Sequence, residues 1–329
     1  MDFNHSYLPE LRWRKRGKIF DPSDHDLPLG CKVFAQGPQA LQHEGGWRVY
    51  FSSRVPDNGM YLSKVCYADF DSSFTTMQRL ADHNVISLGT AGCFDEHGIF
   101  PFHVTKIDEQ ILGYTSGWSR RISVPVETGI GLSLSNDNGK SFTRYAPGPV
   151  LAAAPHEPFL VGDPFVKKFN GTFHMWYIFG CDWKLADNTS SPDRVYKIGH
   201  AISPDGITWH RSREGTAIVS DVLGQDECQA YPSVVRIHDG YWMIFCYRYA
   251  NDFRTNTNRG YRLGAAYSHN LEDWRRMDEK LFFVGDDDNA WDKDMMCYPH
   301  IAQNEEGIWL LYNGNAFGRD GFGVAKLEG

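Results

Sequence analysis

The sequence lacks the features that would mark a secreted, zinc-binding or membrane-spanning protein. Its seven cysteines are scattered, are odd in number and include no Cys-x-x-Cys pair, which argues for reduced thiols and against a zinc site. No apolar run approaches membrane-spanning length, and the first 30 residues contain no apolar core of a secretory signal. We therefore expect a cytoplasmic protein that contacts no membrane, with export by a leaderless route as the alternative.

A surplus of positive charge is also absent. Lysine and arginine together number 33, against 41 aspartate and glutamate residues, and the net charge of −8 argues against a nucleic-acid partner. No Pro/Ser-rich linker or charge run divides the chain, and the hydrophobic fraction of 42% is sufficient for one core shared between repeats. A single domain over residues 1–329 is therefore predicted.

What the sequence does contain is a long repeat. Prolines that each begin a β-rich run recur at spacings of 63, 63, 68 and 67 residues, at Pro38, Pro101, Pro164, Pro232 and Pro299. In each repeat a turn and a second run follow, as around Asp239–Gly240, where two apolar runs joined by Asp-Gly indicate a hairpin. A Gly/Ala-rich third run and an aromatic-led fourth run complete the unit. Five such units predict an all-β fold, a five-bladed β-propeller with four-stranded antiparallel blades.

The two ends of the chain complement each other. The last repeat has only three runs, ending with Gly323–Leu327, and the missing fourth run resembles Leu11–Ile19 near the N-terminus. Trp13 precedes Pro38 by 25 residues, just as the corresponding tryptophan of the fourth repeat precedes Pro299. The N-terminal strand is therefore predicted to complete the last blade, which removes an open sheet edge.

Candidate site residues precede the prolines or follow the second runs, and strand direction predicts that both sets share one face. Carboxylates, arginines, aromatic residues and amides that converge on one face of a propeller are typical of a carbohydrate site. A single acidic residue near a strand start most often caps a turn, so the argument depends on recurrence. The expected substrate-binding residues are Arg54, Trp118, Arg120, Arg121, Asp182, Tyr231, Arg248, Asp292, Asp294, Tyr298, Asn313 and Asn315. Three nearby histidines, His97, His103 and His300, are interpreted as packed side chains, so no metal ion and no cofactor are expected.

Two short motifs extend the blade pattern into a family resemblance. Gly162–Pro164 looks like an Arg-Asp-Pro motif, and Glu227–Cys228 looks like a Glu-Cys motif. With them the chain resembles the five-bladed propeller glycosidases of glycoside hydrolase families 43, 32, 68 and 130. Through Trp291–Pro299 and Tyr312–Gly318 it also resembles unassigned members of this group found with polysaccharide-synthesis genes. The resemblance implies that Asp163 stabilises the transition state, that Glu227 is the acid/base, and that Asp95 is the first carboxylate. The Trp-Met-Asn-Asp-Pro-Asn signature of family 32 is absent, so fructan specificity is not implied.

The resulting hypothesis is cleavage of a glycosidic bond in a small carbohydrate. Glu227 would act as general acid and Asp95 as base or nucleophile, while Asp163 would raise the pKa of Glu227 through its charge. Asp292 and Asp294 compete for these roles. Arginines on the same face favour an anionic sugar, because a guanidinium suits carboxylate or phosphate. Two alternatives stay open: a phosphorolytic glycosidase, as in family 130, and a non-catalytic propeller that binds glycan.

Overall fold

The computed structural model describes residues 8–185, 191–285 and 291–328, so the predicted domain limits at 1 and 329 lie outside the described residues. These residues form β-strands and short 3₁₀ turns, and none of them is in an α-helix. No helix within this part of the chain is long and apolar enough to cross a membrane. The 3₁₀ turns are Pro22–Asp24, Pro28–Gly30, Thr257–Arg259, Asp278–Lys280 and Asn315–Gly318.

The strands form five consecutive groups, which we call units 1 to 5. The N-terminal strand is β1 (Leu11–Phe20). Unit 1 contains β2 (Val33–His43), β3 (Gly46–Asp57), β4 (Met60–Phe70) and β5 (Met77–Leu80), and unit 2 contains β6 (Gly98–Ile107), β7 (Gln110–Arg120), β8 (Val126–Ser135) and β9 (Thr143–Arg144). Unit 3 contains β10 (Val161–Phe169), β11 (Thr172–Lys184), β12 (Asp193–Ser203) and β13 (His210–Arg211). Unit 4 contains β14 (Glu227–Ile237), β15 (Gly240–Tyr249), β16 (Arg262–Ser268) and β17 (Arg275–Arg276), and unit 5 contains β18 (Leu281–Val284), β19 (Cys297–Asn304), β20 (Gly307–Asn313) and β21 (Phe322–Leu327).

Strand pairing follows the chain and is antiparallel within units 1 to 4, and from β19 to β21 in unit 5. Units 3 and 4 are separate four-stranded sheets, whereas units 1 and 2 are linked into one sheet through the single pair Ser63 and Gly98. In unit 5 the N-terminal β1 pairs antiparallel with β21, with Trp13 opposite Leu327, as the sequence predicted. An additional strand not predicted, β18, pairs parallel with β1 at the outer edge. The first strands contact one another in a closed order, β2 to β6 to β10 to β14 to β19 and back to β2.

A bulge interrupts every first strand at its proline. The register shifts there because proline has no N–H for the ladder and is tolerated mainly at edges and bulges. The residue before the proline is in the left-handed region in four units, with φ of 61° at Gly37, 48° at Asp163, 53° at Tyr231 and 55° at Tyr298. In unit 2 the Phe100–Pro101 peptide bond is cis. Because bulges change the direction of a side chain, they decide where these pre-proline residues point.

The core lies between neighbouring units. One cluster joins Phe165 and Trp176 of unit 3 to Met243 and Phe245 of unit 4. Another packs Trp13 of β1 against unit 4, and Trp13 has no exposed surface. Burying a side chain of this kind stabilises the fold by about 1.5–3 kcal/mol. Each unit therefore depends on its neighbours for a buried face, as expected of a repeat protein.

Candidate functional site

The pre-proline bulges bring residues from different units to one cavity. Phe100, Asp163, Tyr231 and Tyr298, each directly before its proline, line a cavity of about 350 Å³. Gly37 occupies the same position in unit 1, and a side chain there would meet the Tyr231 hydroxyl at 2.4 Å. The remaining wall comes from first strands, from the ends of second strands, from the starts of third strands and from loops between them: Phe34, Gln36, Arg54, Ser116, Trp118, Val126, Thr128, Leu160, Gly162, Ile178, Arg194, Tyr196, Arg248, Phe253, Arg254, Tyr261 and Phe317.

Asp163 is the carboxylic acid of this cavity wall. Burial raises its pKa to about 7, and the charge of Arg194 and a hydrogen bond from the backbone N–H of Tyr231 oppose that shift. Its own backbone N–H donates to Ser116 Oγ at 3.3 Å. A carboxyl group whose pKa lies near neutrality is protonated in a large fraction of molecules and returns readily to the ionised form. Asp163 can therefore donate a proton to a bound molecule at neutral pH.

Three arginines of the wall, which we call the arginine cluster, are Arg54, Arg194 and Arg248. Within the described ranges, no carboxylate oxygen lies within 4.0 Å of their guanidinium nitrogens. Arg54 instead donates through Nε to Gln36 Oε1 at 3.0 Å, and burial lowers its pKa. Arg254, by contrast, pairs with Asp193 at 2.9 Å. The wall consequently carries an uncompensated positive charge around one partly ionised carboxyl group.

Arg248 is the most deeply buried member, with 2% of its surface exposed. Its Nη1 donates to the carbonyl oxygens of Tyr249 and Ala250, and its Nη2 donates to the Tyr196 hydroxyl at 3.0 Å. The guanidinium carbon lies 3.5 Å from the centroid of the Phe253 ring, a cation–π contact. Its Nε has no hydrogen-bond partner among the described residues. Neutral dipoles and a ring thus hold this cation, and one donor is left available.

Tyr231 contributes a second available donor. The side chain is 3% exposed, and its hydroxyl has no hydrogen-bond partner among the residues that the structure describes. Burial, together with the charge of Asp163, raises the pKa of Tyr231 well above its usual value, so the hydroxyl stays protonated. The rings of Tyr231 and Tyr298 lie 4.6 Å apart, which fixes the orientation of both. Tyr231 therefore leaves an unbonded O–H group enclosed in the wall of the cavity, next to Gly37.

Two of the predicted catalytic carboxylates lie elsewhere, which corrects the expectation that all three meet. Asp95 is fully buried and accepts hydrogen bonds from Arg144 of β9, at 3.0 Å for Nε. Glu227 is also fully buried and pairs with Arg276 of β17 at 2.6 Å. Neither belongs to the cavity wall, whereas Asp163 does. The reason is position: Asp163 directly precedes its proline, whereas Asp95 and Glu227 precede theirs by six and five residues.

These two ion pairs belong to a recurring contact that we call the blade clasp, in which a buried carboxylate before or at the start of the first strand binds a basic residue of the fourth strand. In unit 3 Glu157 pairs with Arg211 of β13 at 2.6 Å and also accepts from the Tyr177 hydroxyl at 2.8 Å. In unit 5 Asp292 pairs with Lys15 of β1 at 3.1 Å. The repetition of acidic residues that indicated a site in the sequence thus has a structural cause in four units.

The other predicted residues divide into two groups. Arg54, Trp118, Tyr231, Arg248 and Tyr298 line the cavity, where sequence reasoning expected a site. The rest do not, and most have partners of their own. Arg120 pairs with Asp57, Arg121 with Glu127, and Asp182 with Lys184. Asn313 bonds the backbone of Ala35, Gly37 and Gly321, Asn315 bonds the backbone of Asp294 and Met295, and Asp292 and Asp294 border a second cavity near Lys15.

Sequence reasoning missed Arg194, Tyr196 and Tyr261. Arg194 and Tyr196 lie at the start of β12, and Tyr261 directly precedes β16, both third strands. A third strand starts on the face where the second strand ends, so its first residues reach the same cavity. The sequence therefore did contain a signal for these residues, namely a basic or aromatic residue at the start of the third strands β12 and β16. No group of three or more His, Cys, Asp or Glu residues within the described ranges could hold a metal ion.

Comparison with known proteins places the chain in a family. No family model matches it. Two relatives from Mycobacterium tuberculosis, Uncharacterized protein Rv1502 and Uncharacterized protein MT1551, are each 31% identical over 322 residues, which cover 97% of this chain and 100% of each relative. A structure titled "Glycoside hydrolase" superposes with a TM-score of 0.71 at 12% identity, covering 98% of this chain and 93% of that one. The β-1,2-mannobiose phosphorylase from Listeria innocua superposes with a TM-score of 0.63 at 13% identity, covering 94% of each chain. The chain therefore belongs to the family of the two mycobacterial proteins, and its fold is that of the β-propeller glycosidases.

Proposed function

We propose that this protein is an enzyme that acts on a glycosidic bond of a small carbohydrate, with Asp163 as the general acid. One observation carries the proposal: the cavity combines aromatic walls with a single carboxyl group whose pKa is raised to about 7. Aromatic rings such as Trp118 suit the apolar faces of a sugar, and a protonated carboxyl group can protonate the leaving oxygen. The fold shared with glycoside hydrolases and a phosphorylase supports this choice without deciding the reaction.

The same observation favours phosphorolysis over hydrolysis. Hydrolysis with two carboxyl groups needs a base or nucleophile beside the acid, and no second carboxylate belongs to the described cavity wall. In phosphorolysis an oxygen of inorganic phosphate attacks the anomeric carbon while the bond to the leaving oxygen breaks. Asp163 gives its proton to that oxygen, and the phosphate loses its own proton to the ionised Asp163 or to water. The products are a sugar 1-phosphate and a free alcohol.

The proposal includes the arrangement of the units. Four units of four strands, a fifth unit of five strands that includes β1, and the closed contact order of β2, β6, β10, β14 and β19 support a single five-bladed ring. The cavity would then lie at one end of the ring axis, where the pre-proline residues meet. A cytoplasmic location and a small-molecule substrate, without nucleic acid or membrane, remain part of the same proposal.

Reverse phosphorolysis provides the test, because it needs no knowledge of the natural disaccharide. Purified protein would be incubated with mannose, glucose or galactose 1-phosphate and a panel of monosaccharide acceptors, and phosphate release would be measured. Asp163→Asn is expected to lower the rate by roughly 10²- to 10⁴-fold, the usual contribution of a general acid. Asp108→Asn is the matched control, since Asp108 is exposed and pairs with Lys168 at 3.3 Å, outside the cavity wall.

The outcomes separate the alternatives. Undiminished phosphate release in Asp163→Asn would refute the role of this residue. Cleavage of a glycoside in phosphate-free buffer, still dependent on Asp163, would replace phosphorolysis by hydrolysis. Sugar binding without turnover in either direction would indicate a non-catalytic carbohydrate-binding protein.

A further inference from the structure

We infer that the arginine cluster and the Tyr231 hydroxyl form a subsite for an oxyanion of the carboxylate or phosphate class. The inference deepens the proposed function, because this subsite would hold the charged group of the molecule whose glycosidic bond is made or broken. That group is either inorganic phosphate or an acidic substituent of the sugar. Both would present negatively charged oxygen atoms to the wall of the cavity.

Charge balance is the first argument. A buried cation is usually paired with an anion, because leaving water is costly for an isolated charge. Arg248 is such a cation, whereas Arg54 and Arg194 are partly exposed. None of the three has a carboxylate within 4.0 Å in the described part of the chain, and Asp163 is ionised in only part of the molecules at neutral pH. Arg254, on the same wall, is already paired with Asp193. An oxyanion in the cavity would supply the missing negative charge.

Unused hydrogen-bond donors are the second, independent argument. Arg248 Nε and the Tyr231 hydroxyl belong to side chains that are 2% and 3% exposed, and neither has an acceptor among the described residues. Leaving a buried donor unbonded costs about 1–3 kcal/mol in a folded protein. The charged oxygens of a carboxylate or phosphate are acceptors for donors of this kind, and planar guanidinium groups suit both anions.

Position beside the proton donor gives the subsite a consequence. The charge of Arg194 lowers the pKa of Asp163, against the larger effect of burial. A bound oxyanion neutralises that charge and adds its own negative charge to the same cavity. The protonated form of Asp163 therefore becomes more favoured when the subsite is occupied. Occupancy thus prepares the acid for the step in which it gives up its proton.

Isothermal titration calorimetry with inorganic phosphate, sulfate, glucuronate and neutral glucose tests the subsite directly. Loss of one charge-assisted hydrogen-bonding group should weaken oxyanion binding roughly ten- to hundredfold in Arg54→Gln and Arg194→Gln. Arg213→Gln is the control, because Arg213 is exposed and pairs with Asp273 outside the cavity. These variants are preferred to Arg248 substitutions, which remove a core residue and could prevent folding.

Comparison of the titrated compounds distinguishes the two sources of the oxyanion. Binding of phosphate and sulfate without glucuronate identifies a free phosphate co-substrate, and preferential binding of glucuronate identifies an acidic sugar. Failure of every oxyanion to bind, or equal binding by wild type and both variants, overturns the subsite. Because these titrations need no turnover, their failure leaves the Asp163→Asn test of the proposed function intact.

Proton uptake tests the link to Asp163. Sulfate or glucuronate would be titrated at pH 7.5 in two buffers with different ionisation enthalpies, since neither probe changes its own protonation at that pH. Binding should take up a fraction of a proton in the wild type and none in Asp163→Asn. Equal uptake in both proteins would refute the coupling.

Discussion

Replacing Glu227 by alanine is expected to destabilise the fold and to spare the active site. Its side chain accepts hydrogen bonds from the backbone N–H groups of Val222 and Leu223, from Gln229 and from Arg276. The Arg276 side chain is only 4% exposed, so the substitution leaves a buried cation whose remaining carboxylate partner is Asp278. Breaking a buried ion pair by removing one partner typically costs about 3–5 kcal/mol.

This cost converts into a measurable change in Tm. Unfolding entropy is about 2.1 cal/mol/K per residue, so the 329-residue chain gains roughly 0.7 kcal/mol/K on unfolding. A loss of about 3–5 kcal/mol then lowers Tm by roughly 4–7 °C. Thermal unfolding followed by circular dichroism at pH 7 measures the shift. Glu109→Ala serves as control, because the Glu109 side chain is 97% exposed and should change Tm by less than about 1 °C.

Two results would refute the reasoning. A Tm within about 1 °C of the wild type would mean that the blade clasp contributes little and that Arg276 finds water or another acceptor. A folded Glu227→Ala protein that keeps its Tm but loses phosphate release or sugar cleavage would return Glu227 to the catalytic role predicted from the sequence. Either result would mean that the ion pair between Glu227 and Arg276 does not serve mainly to stabilise the fold.

Further expected outcomes concern Asp163 and Gly37. The pKa of Asp163 is about 7 in the folded protein, against 3.8 in the unfolded chain, so ionisation of this residue destabilises the fold as pH rises through this interval. Thermal unfolding should therefore show Asp163→Asn to be more stable than wild type at pH 8, but not below pH 4. For the same reason the rate in the proposed reaction should fall as pH rises above about 7, in a pH–rate profile. Gly37→Ala should lower Tm and weaken ligand binding, because φ is 61° there and the new methyl group would lie 2.4 Å from the Tyr231 hydroxyl.

Local sequence signals predicted the strands well because they are local in origin. The hairpin of β14 and β15 follows from two apolar runs around Asp239–Gly240, but its two-residue turn is His238–Asp239, one residue earlier than predicted, because Gly240 already pairs with Ile237. The pairing of β1 with β21 was also predictable, because the last repeat lacks a fourth run and the N-terminus contains one. The parallel strand β18 was not predicted, since it carries no repeat marker and its pairing partner β1 is distant in sequence.

The candidate site was predicted in part, as the positions of its acidic residues illustrate. Asp163, Tyr231 and Arg248 reach the cavity, as expected from the face that pre-proline segments and second-strand ends share. Asp95, which precedes β6, and Glu227, which begins β14, do not reach it. They stand farther from the proline bulges of their units than Asp163 does, so their side chains point elsewhere, and their basic partners come from fourth strands 49 residues later.

The amino-acid sequence by itself determined the all-β character of the chain, its repeated hairpins and the recurrence of acidic and basic residues in each repeat. Only the tertiary structure decided which of those charges neutralise each other. Asp95 and Glu227 bind cations within their own units and are buried there, whereas Asp163 and the arginine cluster from three units meet around open space. The physical reason is that charge pairing depends on distances of a few ångströms between residues far apart in sequence, and such distances exist only after the units pack together.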